Sequence, residues 1–345
     1  MSAPDRILVI HLRQLGDVLL TSALLEDLRQ AYPDATIDFL TSARAEELVR
    51  GNPFASEIIV FDRARPMQSV RDLRMRRYEL VFDFQASMRT ALITLAVGAP
   101  RRVGWDKRGR ALAYTECAPR TFPEEYVVRQ RQRLLEFAGI AVHPRRPRIY
   151  LDSEERAGAA KAVAALQTPK GAPRVGLVLN ARAVGATWPV ERFAELATRL
   201  ASGGAAPVVL STIDDDARVK GCLRLAPGTV RGDFRGLRQF AAALGAFDLI
   251  VSGDTGPAHF AMAVGTPTVT LYGAASATLW NPGLPTTVAV SSPRAQCAAC
   301  ARRASRLDTS HTCMREIDVP AVEAAVRGLL ASVSAPAALR TIVLQ

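Results

Sequence analysis

The stretch FDLIVSGDTGPAHFAMAVGTPTVTLYG, residues 247–273, decides the fold. An apolar run (Phe247, Leu249, Ile250, Val251) leads into Ser252-Gly253-Asp254-Thr255-Gly256-Pro257, and an apolar segment carrying His259, Phe260, Ala261 and Ala263 follows. That order is strand, tight loop, helix. A second apolar run, Pro267 to Leu271, ends at Tyr272-Gly273 and completes a β-loop-α-β unit of an open parallel sheet. Ligands of such sheets lie at the carboxyl ends of the strands. Asp254, Thr255 and Gly256 occupy that place, where the first amides of a helix favour an anion.

Upstream, Arg6 to Leu12 reads as a buried first strand, Gln14-Leu15-Gly16-Asp17 as the turn after it, Val18 to Tyr32 as a helix and Ile37 to Leu40 as the next strand. The first loop is therefore polar and holds His11, Arg13, Gln14 and Asp17. An aspartate before an apolar helix serves either as an N-cap or as the acceptor of a proton from an attacking hydroxyl. Ile58 to Phe61 and Leu80 to Phe84 are further strands, joined by a basic amphipathic segment, Arg63 to Arg77, with Met67, Val70, Leu73 and Met75 partly inward. Asp83 to Thr90 starts a helix at a strand end, so Gln85 and Ser87 point to the same crevice as Asp17. Arg101, Arg102 and an exposed Trp105 read as part of a basic loop suited to an anionic sugar or lipid-linked phosphate. Glu124 to Phe137 reads as a solvated outer helix with no chemistry.

At 345 residues the chain has room for two domains, and 49% hydrophobic residues exclude a disordered chain. Breakers at Pro169, Gly171 and Pro173 place the boundary, giving a domain over 1–168, a second over 169–330 and a tail over 331–345. The formal charge of +11, from 44 Lys and Arg against 33 Asp and Glu, favours an acidic partner. No aromatic-interleaved basic tract or zinc-finger spacing argues for nucleic acid. The opening MSAPDRILVIHL is a poor signal peptide, and no apolar run is long enough to span a bilayer. The plain expectation is a cytoplasmic protein whose basic face can touch the inner face of the inner membrane.

In the second half, the loop from Asn180 to Thr187 precedes Trp188-Pro189, and Asp214-Asp215-Asp216 follows the strand Pro207 to Leu210. An acidic residue there, Asp215 or Asp216, either accepts hydrogen bonds from ribose hydroxyls or forms the acidic first turn of the next helix. Cys297, Cys300, His311 and Cys313 reach the ligand count of a tetrahedral zinc site, yet His311 and Cys313 are only two residues apart, and free thiols are the preferred reading. Val319 to Leu330 is a final helix.

The pattern Asp254-Thr255-Gly256-Pro257-Ala258-His259, with Ala263, Pro267 and Tyr272-Gly273 after it, resembles the signature of the ADP-heptose-dependent heptosyltransferases, glycosyltransferase family 9, which build the inner core of lipopolysaccharide. Ile7-Leu8-Val9-Ile10 followed by Leu15-Gly16-Asp17-Val18 resembles the opening of the same family, whose glycine-aspartate pair carries the proposed base. The resemblance implies an α/β fold of the GT-B type, two Rossmann-like open-sheet domains facing a cleft, with the final helix returning toward the first domain. It implies an inverting, metal-independent transfer of heptose from ADP-heptose to a lipopolysaccharide inner-core acceptor, with no cofactor. Asp17 is then the general base. Arg182, Thr187, Asp215, Asp216, Asp254, Thr255, Gly256 and His259 face the donor, and Arg13, Gln85, Ser87, Arg101, Arg102 and Trp105 face the acceptor. One departure stands out. Relatives place a lysine shortly before Trp-Pro to meet the donor phosphate, whereas here Ala186 stands two residues before Trp188 and Arg182 is the only cation of the loop. That leaves two competing readings: a non-catalytic or weakly active binder of nucleotide or anionic glycolipid, and a transferase for a related nucleotide sugar. A dinucleotide oxidoreductase is disfavoured because neither first loop has G-x-G-x-x-G.

Overall fold

The structure, a computed structural model, describes residues 3–121, 123–179, 187–210, 216–293 and 313–334. The chain divides into two compact units, Met1–Tyr150 and Leu151–Gln345. In the first unit the strands are β1 (Arg6–Ile10), β2 (Thr36–Thr41), β3 (Glu57–Val60), β4 (Leu80–Asp83), β5 (Arg101–Trp105) and β6 (Glu116–Ala118). Its helices are α1 (Leu15–Ser22), α2 (Leu25–Ala31), α3 (Ala43–Val49), α4 (Pro66–Met75), α5 (Met88–Val97) and α6 (Val127–Phe137). The sheet order is β3-β2-β1-β4-β5-β6 and every pairing is parallel. This is the doubly wound order, with its topological switch between β1 and β4. Sequence runs such as Ile7 to Ile10 and Leu80 to Phe82 are buried on both faces, as a parallel sheet covered by helices requires.

The second unit repeats the plan. Helix α7 (Ser153–Ala164) precedes β7 (Arg174–Val178), α8 (Val190–Ser202), β8 (Ala206–Leu210), α9 (Asp216–Leu225), β9 (Val230–Gly232) and α10 (Leu237–Leu244). Then come β10 (Leu249–Gly253), α11 (Gly256–Val264), β11 (Thr268–Tyr272), α12 (Ala277–Trp280), β12 (Thr287–Ser291), α13 (Cys313–Glu316) and α14 (Val319–Ser334). The order β12-β11-β10-β7-β8-β9 is again parallel throughout and switches between β7 and β10. The two units are thus the pair of Rossmann-like open sheets expected of a GT-B chain.

Several local readings change. The compact units meet at Tyr150–Leu151, ahead of the boundary expected at 168, because α7 belongs with the second unit. Asp152 caps α7 by accepting from the Glu155 amide (2.8 Å), and Glu155 also pairs with Arg238 on α10. The expected single helix over 18–32 is two helices, since the Ser22 hydroxyl donates back to Leu19 O (2.8 Å) and the turn at Ala23 and Leu24 breaks the run. Of the apolar residues on α4, Leu73 is buried, whereas Met67 and Met75 are 86% and 68% exposed. Helix α14 packs on α8 and on β10 to β12, within the second unit.

Candidate functional site

In the first unit the candidate residues gather where the sheet order reverses, in the loops after β1 and β4. The Leu12 amide donates to Gln85 Oε1 (2.9 Å) and joins the two loops. Gln85 Nε2 donates to Ser87 Oγ (2.8 Å), and Ser87 closes a capping box with Thr90 that starts α5. Gln14 and Ala86 hold left-handed φ angles of 58° and 45°, one in each loop. Strained backbone of this kind concentrates at functional loops.

Asp83, at the carboxyl end of β4, organises the second loop. Its Oδ1 accepts from the Gln85 and Ala86 amides (3.1 and 2.9 Å), and its Oδ2 accepts from the Tyr114 hydroxyl (2.8 Å). Tyr114 reaches it by lying across Gly104 of β5, where an added Cβ would sit 2.5 Å from the ring. Burial pushes the Asp83 carboxyl up to about 6, against hydrogen bonds that pull it down. A carboxyl raised on folding adds stability below its ordinary range near 3.8, and that contribution is lost as pH climbs through about 6. His11 works in the opposite sense, since burial and Arg131 lower it to about 3 and it favours the folded state above its ordinary 6.5. The Asp83→Asn variant should therefore gain stability relative to wild type, by about 1 to 3 kcal/mol, as pH rises from 4 to 7. Thermal melts of both proteins across that range test it, and parallel curves would mean that Asp83 does not change ionisation on folding.

Asp17 is not the N-cap of α1. Gln14 holds that position without a side-chain capping bond, and Asp17 lies in the first turn. Its Oδ1 pairs with Arg131 of α6, and Arg131 Nη1 donates to the Asp17 carbonyl (2.8 Å). The Arg131 side chain is 10% exposed and that of Asp17 25%, so one is enclosed and the other reachable. Helix α6, expected to be a solvated bystander, is firmly held. Gln132 Nε2 donates to the buried Asp27 Oδ2 (2.7 Å), while Asp27 Oδ1 accepts from Arg145 Nε (2.7 Å) and the His143 amide (3.2 Å). His11 lies at the same place, with Nδ1 2.8 Å from the Thr21 hydroxyl.

Arg13 is exposed in the loop after β1. Arg101 and Arg102 are not at the crevice. They open β5 at its amino end, since Leu80 pairs with Arg101 and Asp83 with Gly104. Arg101 Nε bonds Glu116 Oε1 (2.7 Å), and Arg102 donates to the Ala113 and Ala99 carbonyls (2.9 and 2.6 Å). Trp105, expected to be exposed, is 6% exposed at the carboxyl end of the strand.

In the second unit, Asp254 and Thr255 follow β10 at the β7/β10 switch, and the Asp254 amide donates to Leu271 O (3.1 Å). Thr255 is the N-cap of α11 with no side-chain cap bond, and its hydroxyl lies 3.2 Å from that of Ser252. The Gly256 amide, first of the helix, has no intrahelical partner. His259 is buried on the next turn, its ring 5.8 Å from Trp280. Gly273 admits α13, where a Cβ would lie 2.7 Å from Met314 Sδ. Thr187 precedes the buried Trp188, whose Nε1 donates to Ile317 O (3.0 Å). Arg182, Ala186 and Asp215 lie outside the described residues, and Asp216 opens α9. Cys297, Cys300 and His311 also lie outside them, and Cys313 is buried. Among the described residues, no group of three or more His, Cys, Asp or Glu is placed to hold a metal ion.

The family model for glycosyltransferase family 9 (heptosyltransferase) matches residues 67–311. Lipopolysaccharide heptosyltransferase 3 of Escherichia coli (strain K12) is 24% identical over 302 residues, covering 79% of this chain and 83% of that protein. Among solved structures, a glycosyl transferase family 9 protein from Veillonella parvula superposes with a TM-score of 0.81 at 21% identity, over 95% of this chain and 97% of its own. The ADP-heptose lps heptosyltransferase II of E. coli gives 0.77 at 22% identity, over 96% and 100%. These structures are similar to the chain in fold.

Proposed function

Because the chain belongs to glycosyltransferase family 9, the heptosyltransferases, we propose that it moves heptose from ADP-heptose to a sugar hydroxyl of a lipopolysaccharide inner-core acceptor with inversion at the anomeric carbon. The observation that carries the reading is Asp17, held by Arg131 at the switch point of the first sheet with its carboxylate reachable from solvent. Asp17 Oδ2, with no hydrogen bond to a described residue, accepts the proton as the acceptor oxygen attacks. Gln85 and Ser87 keep the neighbouring loop in place. In the second unit, Asp254 and Thr255 meet the donor, and the N-terminus of α11 offers the Gly256 amide and a helix dipole to the departing diphosphate. Thr187, His259 and the acidic residues Asp215 and Asp216 complete the donor side. The scheme asks for no metal ion, and we place the protein in the cytoplasm, where nucleotide sugars are made.

Partial charges leave much of a diphosphate uncompensated, and Ala186 stands where the family resemblance implies a lysine. Arg182 is the cation available in that loop. A charge-assisted contact is worth about 1.5 to 3 kcal/mol, or roughly 10- to 150-fold in affinity. Arg182→Ala should weaken ADP binding by that factor and adenosine binding much less. Calorimetric titration of both ligands tests it, and an unchanged ADP affinity would remove Arg182 from the phosphate site. Titration of ADP, UDP and GDP against the wild-type protein tests the donor class, with ADP expected to bind best.

A further inference from the structure

Helix α5 reverses the usual arrangement of a surface helix. Its inner face, Ala91, Ile93, Thr94 and Val97, is buried, and its outer face is the stripe Met88, Leu92 and Leu95, exposed by 52%, 59% and 47%. The spacing i, i+4, i+7 puts these three on one line. The short turn Ala111–Ala113 packs beside it through Ala91, Ala113 and Tyr114, and its Leu112 is 93% exposed. Helix α4 packs on the other side and adds Met67 and Met75. Six large apolar side chains thus stand in water on three neighbouring elements of the first unit, three of them on one line of α5, whereas exposed apolar residues scattered singly would be unremarkable. Charge around them is mainly positive. Arg71 and Arg74 of α4, Arg89 of α5 and Arg108 before the turn are exposed and outnumber the exposed acids Asp72 and Asp106, while Asp62 is paired with Arg65 (2.9 Å).

Apolar side chains rimmed by arginine match a lipid surface bearing negative headgroups better than a polar protein partner. We infer that the outer layer formed by α4, α5 and the Ala111–Ala113 turn docks on an anionic bilayer. The leucines and methionines enter the acyl boundary and the arginines remain at the headgroups. No described helix is long and apolar enough to cross a membrane, so the contact is peripheral. This inference does not depend on the sugar-transfer reading, because its test measures no activity.

The wild-type protein should co-sediment with vesicles of phosphatidylethanolamine and phosphatidylglycerol, and should bind phosphatidylcholine vesicles at least about tenfold more weakly. The double variant Leu92→Asp, Leu112→Asp should lose at least about tenfold in partitioning, and Arg71→Gln about fivefold. Since both leucines are exposed, circular dichroism and Tm should match wild type. The Leu112→Trp variant supplies a second readout, with the emission of the added indole shifting to the blue on anionic vesicles. Equal partitioning of wild type and double variant, equal binding to both kinds of vesicle, or an emission of the Leu112→Trp variant indifferent to lipid would overturn the inference. So would a wild-type dimer that the leucine substitutions split without affecting vesicle binding, because a second copy would then cover this face.

Discussion

Replacing Asp17 by asparagine should lower kcat for heptose transfer by about 10²- to 10⁴-fold, the usual contribution of a positioned general base, and leave ADP affinity within about twofold. Asparagine keeps the shape of the carboxylate, and its Oδ1 can still accept from Arg131, so the substitution removes proton-accepting capacity and little else. The residues proposed to meet the donor belong to the second unit, hence the expected separation of chemistry from nucleotide binding. Product analysis beside calorimetry distinguishes the outcomes. Wild-type turnover in Asp17→Asn would remove Asp17 as base, and loss of ADP binding would show that the substitution acts through the fold.

Arg131→Met should have the next largest effect. It removes the donor to the Asp17 carbonyl and the partner of its carboxylate, but retains a flexible, unbranched side chain on α6. Breaking a fully buried ion pair costs about 3 to 5 kcal/mol, and the partial exposure of Asp17 reduces the expectation here to about 1 to 3 kcal/mol. Turnover should fall by about tenfold to a hundredfold, since a base that wanders by an ångström loses most of its advantage. ADP affinity should not change. Arg131 is also the second cause, after burial, of the lowered His11 value, so His11 should titrate above its position near 3 in the variant. NMR titration of that imidazole separates loss of the charge from general loosening. Arg131→Lys, which keeps the charge without the fork, should recover part of the turnover. Full activity in Arg131→Met would mean that Asp17 needs no partner to hold it.

The fold was largely legible because buried parallel strands write themselves as apolar runs. Ile7 to Ile10, Val175 to Val178 and Leu249 to Val251 each sit in a central strand, and the polar and glycine-containing punctuation after them marks the strand ends. Strand β5 hid behind its arginines. Arg101 and Arg102 open it, and only their pairing to Glu116 and to backbone carbonyls makes that compatible with a sheet. For the same reason Trp105 looked like a loop residue although it is a buried strand end. Arg131 was missed through composition, as α6 carries Arg129, Arg131 and Arg133 and looked solvated. Its register held the signal. Val127, Val128, Leu134 and Leu135 define the inward face, and helical spacing places Arg131 and Gln132 on that same face. Tyr114 could not be found from sequence, because its contact with Asp83 depends on the groove that Gly104 leaves across β5.

The most direct test of heptosyl transfer is to incubate the purified chain with ADP-heptose and a heptose-deficient lipopolysaccharide core, and to follow acceptor mass and released ADP together. Addition of one heptose for each ADP released, with inverted anomeric configuration and with neither product formed by Asp17→Asn, is the predicted result. Tight ADP binding with no change in acceptor mass, across acceptors truncated at successive core sugars, would contradict a transferase and leave a nucleotide-binding protein in its place.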